Sequence, residues 1–269
     1  MAYEILVLDI DGTLTNSKKE ISQKTLDAII SIQERNHTVV LASGRPTPGI
    51  TALAEKLRLS HYGGFILSYN GAKIINCKTE EVIYQKVLPA DIIPSLHAAA
   101  VQYHVGIISY EGDHVITDME LDEYMIKEAK INNIPIKTIT DFPNYITFPV
   151  NKCLMTGPGD KLAQIEPKMK EQFGDRINIY RSEPFFLELM PQNIDKANSL
   201  KVLLNHLNLS TEQMISCGDG FNDLSMIEYA GMGVAMANAQ EIVKKAANYI
   251  TLSNDDDGVA HVIQEFMLS

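Results

Sequence analysis

Apolar positions fall in two rhythms along this chain. Continuous runs such as Ile5-Leu6-Val7-Leu8 and Thr38-Val39-Val40-Leu41-Ala42 predict strands covered on both faces, where no polar alternation is needed. Between them Ser22 precedes Leu26, Ile29, Ile30 and Ile32, a spacing that predicts a helix. A second helix is expected through Leu53, Leu57 and Leu59. A third strand over 64–68 ends at the turn signal Asn70-Gly71. Strands alternating with helices imply a parallel sheet.

The same rhythm returns at the end of the chain. Helices are expected over 195–207, 222–229, 239–247 and 259–267, with strands over 213–217, 233–236 and 249–251. The middle reads differently. Helical stretches over 92–103, 120–130 and 160–173 sit among strands of alternating or aromatic character over 105–110, 152–155 and 185–189. The pattern predicts an α/β core formed by 1–82 and 191–269, with an α+β segment over 83–190 inserted into it. No internal repeat or low-complexity tract interrupts this order.

Composition narrows the classes. The chain has 269 residues, 45% of them hydrophobic and 21% charged, the balance of a globular protein. No run of about 18 apolar residues offers a membrane span, and the N-terminal residues lack a secretory pattern. Cys77, Cys153 and Cys217 are too few and too scattered for a disulfide framework or a zinc site. A cytoplasmic location with reduced thiols is expected. The formal net charge of −11, with no basic stripe, argues against nucleic acid as a partner. It would also repel an anionic substrate, so a phosphate site has to be built locally from a metal, a lysine and backbone N–H groups.

Four segments carry chemistry. Asp9-Ile10-Asp11-Gly12-Thr13 leaves the first buried strand, and ligands of open parallel sheets sit beyond such strand ends. Two carboxylates there repel each other unless a cation intervenes, and Mg²⁺ is commonly held by one or two carboxylates. A bare pair of acids in a turn would be solvated; the apolar strand before and the Gly-Thr after argue for a site. Ser43-Gly44-Arg45-Pro46 follows the second strand as a small hydroxyl and an accessible Gly N–H, a phosphate cradle or an ordinary turn. Lys196 begins a helix and could neutralise phosphoryl oxygens, though most isolated lysines are solvated. Gly218-Asp219-Gly220-Phe221-Asn222-Asp223 adds metal-directed oxygens, with Asp223 also suited to capping a helix. Met226, Met232 and Met236 read as packing, and His104 and His114 as surface residues.

In this order the segments resemble the haloacid dehalogenase-like hydrolase superfamily, in its Cof-type phosphatase branch. The matching stretches are LDIDGTLTNSKKEIS, LASGRP, SYNGA, Lys196 and GDGFNDLSMIEYAGMGVAMANA. The resemblance covers the whole chain and implies a Rossmann-like core with an inserted C2-type cap. It implies a Mg²⁺-dependent phosphatase acting on a small phosphorylated metabolite, such as a sugar phosphate, through an aspartyl phosphate. Asp9 would be the nucleophile and Asp11 the acid and base, with a raised pKa. Gly12, Ser43, Gly44, Lys196 and Asn222 would bind phosphate. Asp9, Asp11 through its carbonyl, and Asp219 would ligate the metal, and Asp223 would orient its surroundings. Arg45 and Asn70 could touch substrate; alternatively Arg45 makes a structural carboxylate pair and Asn70 a hairpin turn. A phosphomutase using the same intermediate, or a non-catalytic phosphate-binding module, are the alternatives. The branch usually flanks its lysine with glycines, and here the stretch is Asn193-Ile194-Asp195-Lys196-Ala197.

Overall fold

A computed structural model describes residues 3–268, which divide into two compact units. The first comprises residues up to 84 and from 195 onward; the second is 85–194.

The first unit begins with β1 (Ile5–Leu8), α1 (Gln23–Glu34), β2 (Thr38–Ala42), α2 (Pro48–Lys56), α3 (Leu59–Tyr62), β3 (Phe65–Ser68), β4 (Lys73–Asn76) and β5 (Val82–Gln85). Every residue of β1 and β3 is buried, as their unbroken apolar runs require. Ser22 caps α1 by accepting the Thr25 N–H at 3.1 Å. The helix expected through Leu59 is broken: Arg58 adopts φ 57°, a left-handed conformation that ends α2 and lets α3 start on a new axis.

The second unit contains α4 (Ile93–Tyr103), β6 (Gly106–Glu111), β7 (His114–Thr117), α5 (Glu123–Asn132), β8 (Ile136–Thr138), α6 (Phe142–Tyr145), β9 (Cys153–Thr156), α7 (Gly159–Phe173), β10 (Ile177–Glu183) and β11 (Phe186–Pro191). Its six strands run in the order β10-β11-β9-β6-β7-β8. All the pairings are antiparallel except β7 with β8. Ile107, Cys153, Met155, Leu187 and Leu189 share one apolar cluster with Leu96, Leu162 and Ile165 of the helices. The buried network Tyr110–Glu128 and Lys152–Glu188 is satisfied by hydrogen bonds and an ion pair at 2.6 and 3.2 Å, as buried polar groups must be.

The chain then completes the first unit with α8 (Lys196–Leu207), β12 (Met214–Gly218), α9 (Leu224–Tyr229), β13 (Met232–Ala235), α10 (Glu241–Ala246), β14 (Tyr249–Ile250) and α11 (Gly258–Phe266). The eight-stranded sheet has the order β14-β13-β12-β1-β2-β3-β4-β5. The six strands from β14 to β3 are parallel. β4 departs from the expected parallel order, folding back on β3 as an antiparallel hairpin. The helix expected from 222 opens as a 3₁₀ turn over Phe221–Asp223 before α9. Met226 and Met236 are fully buried and Met232 packs against the same core, which places them in packing. The three cysteines are free, and burial pushes each thiol up to about 12, too high to ionise near neutrality. Among the described residues no helix is long and apolar enough to cross a membrane.

Candidate active site

β12, β1, β2 and β3 are neighbours and parallel, so their carboxyl ends open on one edge of the sheet. The Asp9, Ser43, Asn70 and Asp219 segments leave from that edge, while Lys196 begins α8. Asp9 extends the ladder by donating its N–H to the Cys217 carbonyl at 3.0 Å, and Ser43 does the same to Leu67 at 2.9 Å. The Asn70 segment is stitched onto the Ser43 segment: Asn70 N–H donates to the Ser43 carbonyl at 2.9 Å and Tyr69 N–H to the Arg45 carbonyl at 3.0 Å.

At the centre lies Lys196, with no exposed surface. Its ammonium donates to Asp9 Oδ1 at 2.7 Å, Asp223 Oδ1 at 2.5 Å and the Ala42 carbonyl at 2.8 Å, which uses all three of its hydrogens. A direct contact with a phosphoryl group would require it to release one of these partners. Lys196 is the first residue of α8, capped by Asp195, which accepts the Asn198 N–H at 2.8 Å. The missing glycines do not loosen this start. Asn193 takes φ 54°, a conformation asparagine tolerates better than most residues.

The Asp9 carboxyl is raised to about 8, by burial first and the charge of Asp223 second, against the lowering effect of Lys196. Asp219 is raised to about 6 for the same two leading reasons. One ammonium therefore faces three carboxylates, and oxygens of Asp9, Asp219 and Asp223 lie within 4.8 Å of one another. The two surplus negative charges match a divalent cation. The three acids are not equivalent. Asp223 Oδ2 already accepts the N–H groups of Asp219 and Gly220 at 3.0 and 2.9 Å, so Asp223 shapes the loop. Asp9 Oδ2 and Asp219 Oδ2 accept no hydrogen bond from the described residues.

Gly12 is needed on two counts. It has φ 86°, and a Cβ there would collide with the Asp219 carboxylate. Thr13 also holds that carboxylate, its hydroxyl donating to Asp219 Oδ1 at 3.0 Å. Asn238 donates to the Gly12 carbonyl at 2.8 Å. The sequence assigned no role to Thr13 or Asn238; the only signal was their presence inside the motif stretches. Gly12→Ala is expected to destabilise the first unit by about 1–3 kcal/mol, read as a lowered denaturation midpoint.

Asp11 is gripped by two cations. Arg45 Nε donates to its Oδ2 at 2.8 Å and Nη2 to its Oδ1 at 2.7 Å. Lys19 Nζ donates to Oδ1 at 2.8 Å. Burial alone would raise the Asp11 carboxyl, but the hydrogen bonds and charges of Arg45 and then Lys19 outweigh it, leaving it below the ordinary carboxylate range. This reverses the expectation of a raised value. Arg45 thus makes a carboxylate pair in the structure. Ser43 is buried, and its Oγ accepts the Arg45 N–H at 3.2 Å, leaving its own hydrogen to donate. Gly44 lies close enough to Asn70 that a Cβ would come within 3.2 Å of its side-chain amide. Asn222 donates to Asn70 Oδ1 at 3.2 Å, so these two asparagines share the rim.

Parallel strand ends that gather a carboxylate pair and a Gly-Asp loop around a buried lysine mark the protein as a phosphatase built on an α/β fold. The chain belongs to the haloacid dehalogenase-like hydrolases, whose family model matches residues 6–263, and within them it is a phosphatase. It is similar to a haloacid dehalogenase-like hydrolase from Bacteroides thetaiotaomicron of known structure: 53% identity, TM-score 0.95, covering 97% of this chain and 98% of that one. It resembles BT4131, described as a HAD subclass IIB sugar phosphatase, at 26% identity and TM-score 0.81 over 99% of this chain and 100% of that one. In Bacillus subtilis it resembles the 5-amino-6-(5-phospho-D-ribitylamino)uracil phosphatase YitU, at 28% identity over 268 residues and 97% of each chain.

Proposed function

We propose that this chain hydrolyses phosphomonoesters of small polyhydroxylated metabolites, sugar phosphates above all, by way of a phosphoryl group carried on Asp9. The observation that carries the reading is the state of Asp9. It is buried at a strand end with Oδ1 held by Lys196, while Oδ2 accepts no hydrogen bond from the described residues. An oxygen held in one orientation, left unhydrogen-bonded, and ionised when a cation offsets the neighbouring carboxylates is suited to attack.

In the first half-reaction Asp9 Oδ2 forms a bond to phosphorus as the bond to the substrate's alcohol oxygen breaks, and Asp11 gives that oxygen a proton. In the second, Asp11 takes a proton from water, the water oxygen bonds to phosphorus, and Asp9 is regenerated as inorganic phosphate leaves. Ser43, the Gly12 and Gly44 backbone and Asn222 would hold the phosphoryl oxygens. Lys196 keeps its ammonium beside Asp9, favouring its ionised form.

The residues fit a divalent cation, because the carboxylates outnumber the ammonium and the Asp219 carboxylate sits where only glycine leaves room. Asp9, Asp219 and the Asp11 carbonyl would hold Mg²⁺, which when bound supplies positive charge to Asp9 and to the phosphoryl oxygens. The two relatives named for phosphorylated carbohydrate-like substrates support the substrate class.

The test is a panel of sugar and polyol phosphates assayed for inorganic phosphate with Mg²⁺ and with a chelator. Phosphate release that needs the metal is expected. Equal rates in chelator would remove the metal from the reading. Isomerised sugar phosphate without phosphate release would make the chain a mutase.

A further inference from the structure

We infer that Lys19 and Arg45 form a two-cation clamp that positions Asp11 for proton transfer, with Arg45 the fixed arm and Lys19 the detachable one. The inference rests on the reading of Asp11 as the acid.

Asp11 is the exposed member of the acidic pair, its side chain 38% accessible, so packing alone does not set its rotamer. Arg45 does. Its planar fork meets both carboxylate oxygens, a geometry that fixes the plane of the carboxylate as well as its distance. Arg45 is itself held: its side chain is 15% exposed, Nη1 donates to the Gly49 carbonyl at 3.2 Å, and its backbone joins Ser43 and Tyr69.

Lys19 comes from a different place. It sits in a polar turn over 16–20, its side chain 65% exposed. Exposed lysine–carboxylate pairs add little to stability. Yet the turn is built to present this one. Asn16 Oδ1 accepts the N–H groups of Lys18 and Glu20 at 3.0 Å each. Lys19 N–H donates to the Asn16 carbonyl at 2.9 Å, and Ser17 N–H anchors the turn to Asp255 Oδ1 at 2.7 Å. Lys19 itself has φ 63°, a left-handed backbone unfavourable for lysine. A strained, well-tied backbone whose side chain makes only an exposed ion pair is poorly explained by stability and well explained by a task at Asp11.

Lys19 and Arg45 share Asp11 Oδ1, and Arg45 alone occupies Oδ2. A proton can pass to a leaving oxygen only from a carboxyl oxygen that has shed a cation. The exposed lysine is the arm that can withdraw into solvent without leaving a buried group unpaired, while Arg45 keeps the carboxyl aimed.

The experiment compares two esters. p-Nitrophenyl phosphate has a leaving group that needs little protonation, whereas a hexose 6-phosphate needs a full proton. Values of kcat and KM are measured for the wild type, Arg45→Ala, Lys19→Met and Asp11→Asn, with folding checked by circular dichroism. For Arg45→Ala the ratio of hexose phosphate kcat to nitrophenyl phosphate kcat is expected to fall tenfold or more, with KM changed less than kcat. Guanidinium in the assay should recover part of that loss. For Lys19→Met, an exposed change that spares the fold, the ratio is expected to fall about threefold. If Asp11→Asn shows the selective loss and neither cation variant does, the clamp is overturned alone. The same holds if Arg45→Ala raises KM and leaves kcat intact, which would make Arg45 a substrate contact. If Asp11→Asn slows both esters equally, the acid reading and the clamp fall together.

Discussion

Asp9→Asn is expected to reduce turnover by about 10⁴-fold or more, the scale on which loss of a covalent nucleophile acts, with the fold retained. The amide has the same shape and its oxygen can still accept from Lys196, so the buried contact at 2.7 Å has a replacement. What is lost is the anionic oxygen, and with it the bond to phosphorus. Steady-state phosphate release checks the first part. The stability part has a sign. In the metal-free protein Asp9 is raised from 3.8 to about 8, so the folded state holds a proton that the unfolded chain gives up earlier. The contribution to stability is therefore full below the ordinary carboxylate range and is lost as pH rises toward 8. Asn has no such proton. In chelator, the wild type should lose more stability than Asp9→Asn between about pH 6.5 and about pH 8.5, a window above the value of Asp219 and so weighted to Asp9. Equal losses in denaturant titrations would show that the burial of Asp9 does not govern its charge.

Lys196→Met is expected to carry a large stability cost, about 3–5 kcal/mol. The methionine fills much of the lysine's volume, so packing is not the issue. The issue is that Asp9 and Asp223, both buried, lose their shared counter-ion at 2.7 and 2.5 Å. The Ala42 carbonyl loses a donor as well. Removing one member of a buried ion cluster costs the full desolvation of those that remain. The deficit should shrink at low pH, because a protonated Asp9 no longer needs the ammonium. Urea titrations of wild type and variant at two pH values measure it; a deficit independent of pH would refute the electrostatic origin. Turnover should also collapse, since Asp9 would lose the ammonium that favours its ionised form.

Much of the core was legible because its signals are local. Ile5–Leu8 is an unbroken apolar run, and only a strand covered on both faces needs one. Asp9 and Asp11 follow it directly, so their placement at a strand end came with the strand. Lys196 could be placed only by its order and its helix, and the sequence predicted nothing of its full burial. Other features left no local trace. β8, Ile136-Lys137-Thr138, has two of its three residues exposed, so neither a hydrophobic run nor a period of two marks it. The break between α2 and α3 rests on Arg58 in a conformation that its own side chain does not favour.

Lys19 shows the limit most clearly. Within Asn16-Ser17-Lys18-Lys19-Glu20 nothing distinguishes it from Lys18. The raised value expected for Asp11 failed for the same reason, since it was drawn without the two cations that surround the carboxylate. Taken alone, the sequence determined which residue types stand at the ends of which strands, because strand formation and buried patterning act over a few residues. Which charge faces which, and therefore how each carboxyl titrates, was decided only in the tertiary structure. Coulombic interactions depend on separation in space, and Arg45 is 34 positions along the chain from Asp11 and Lys196 is 187 from Asp9.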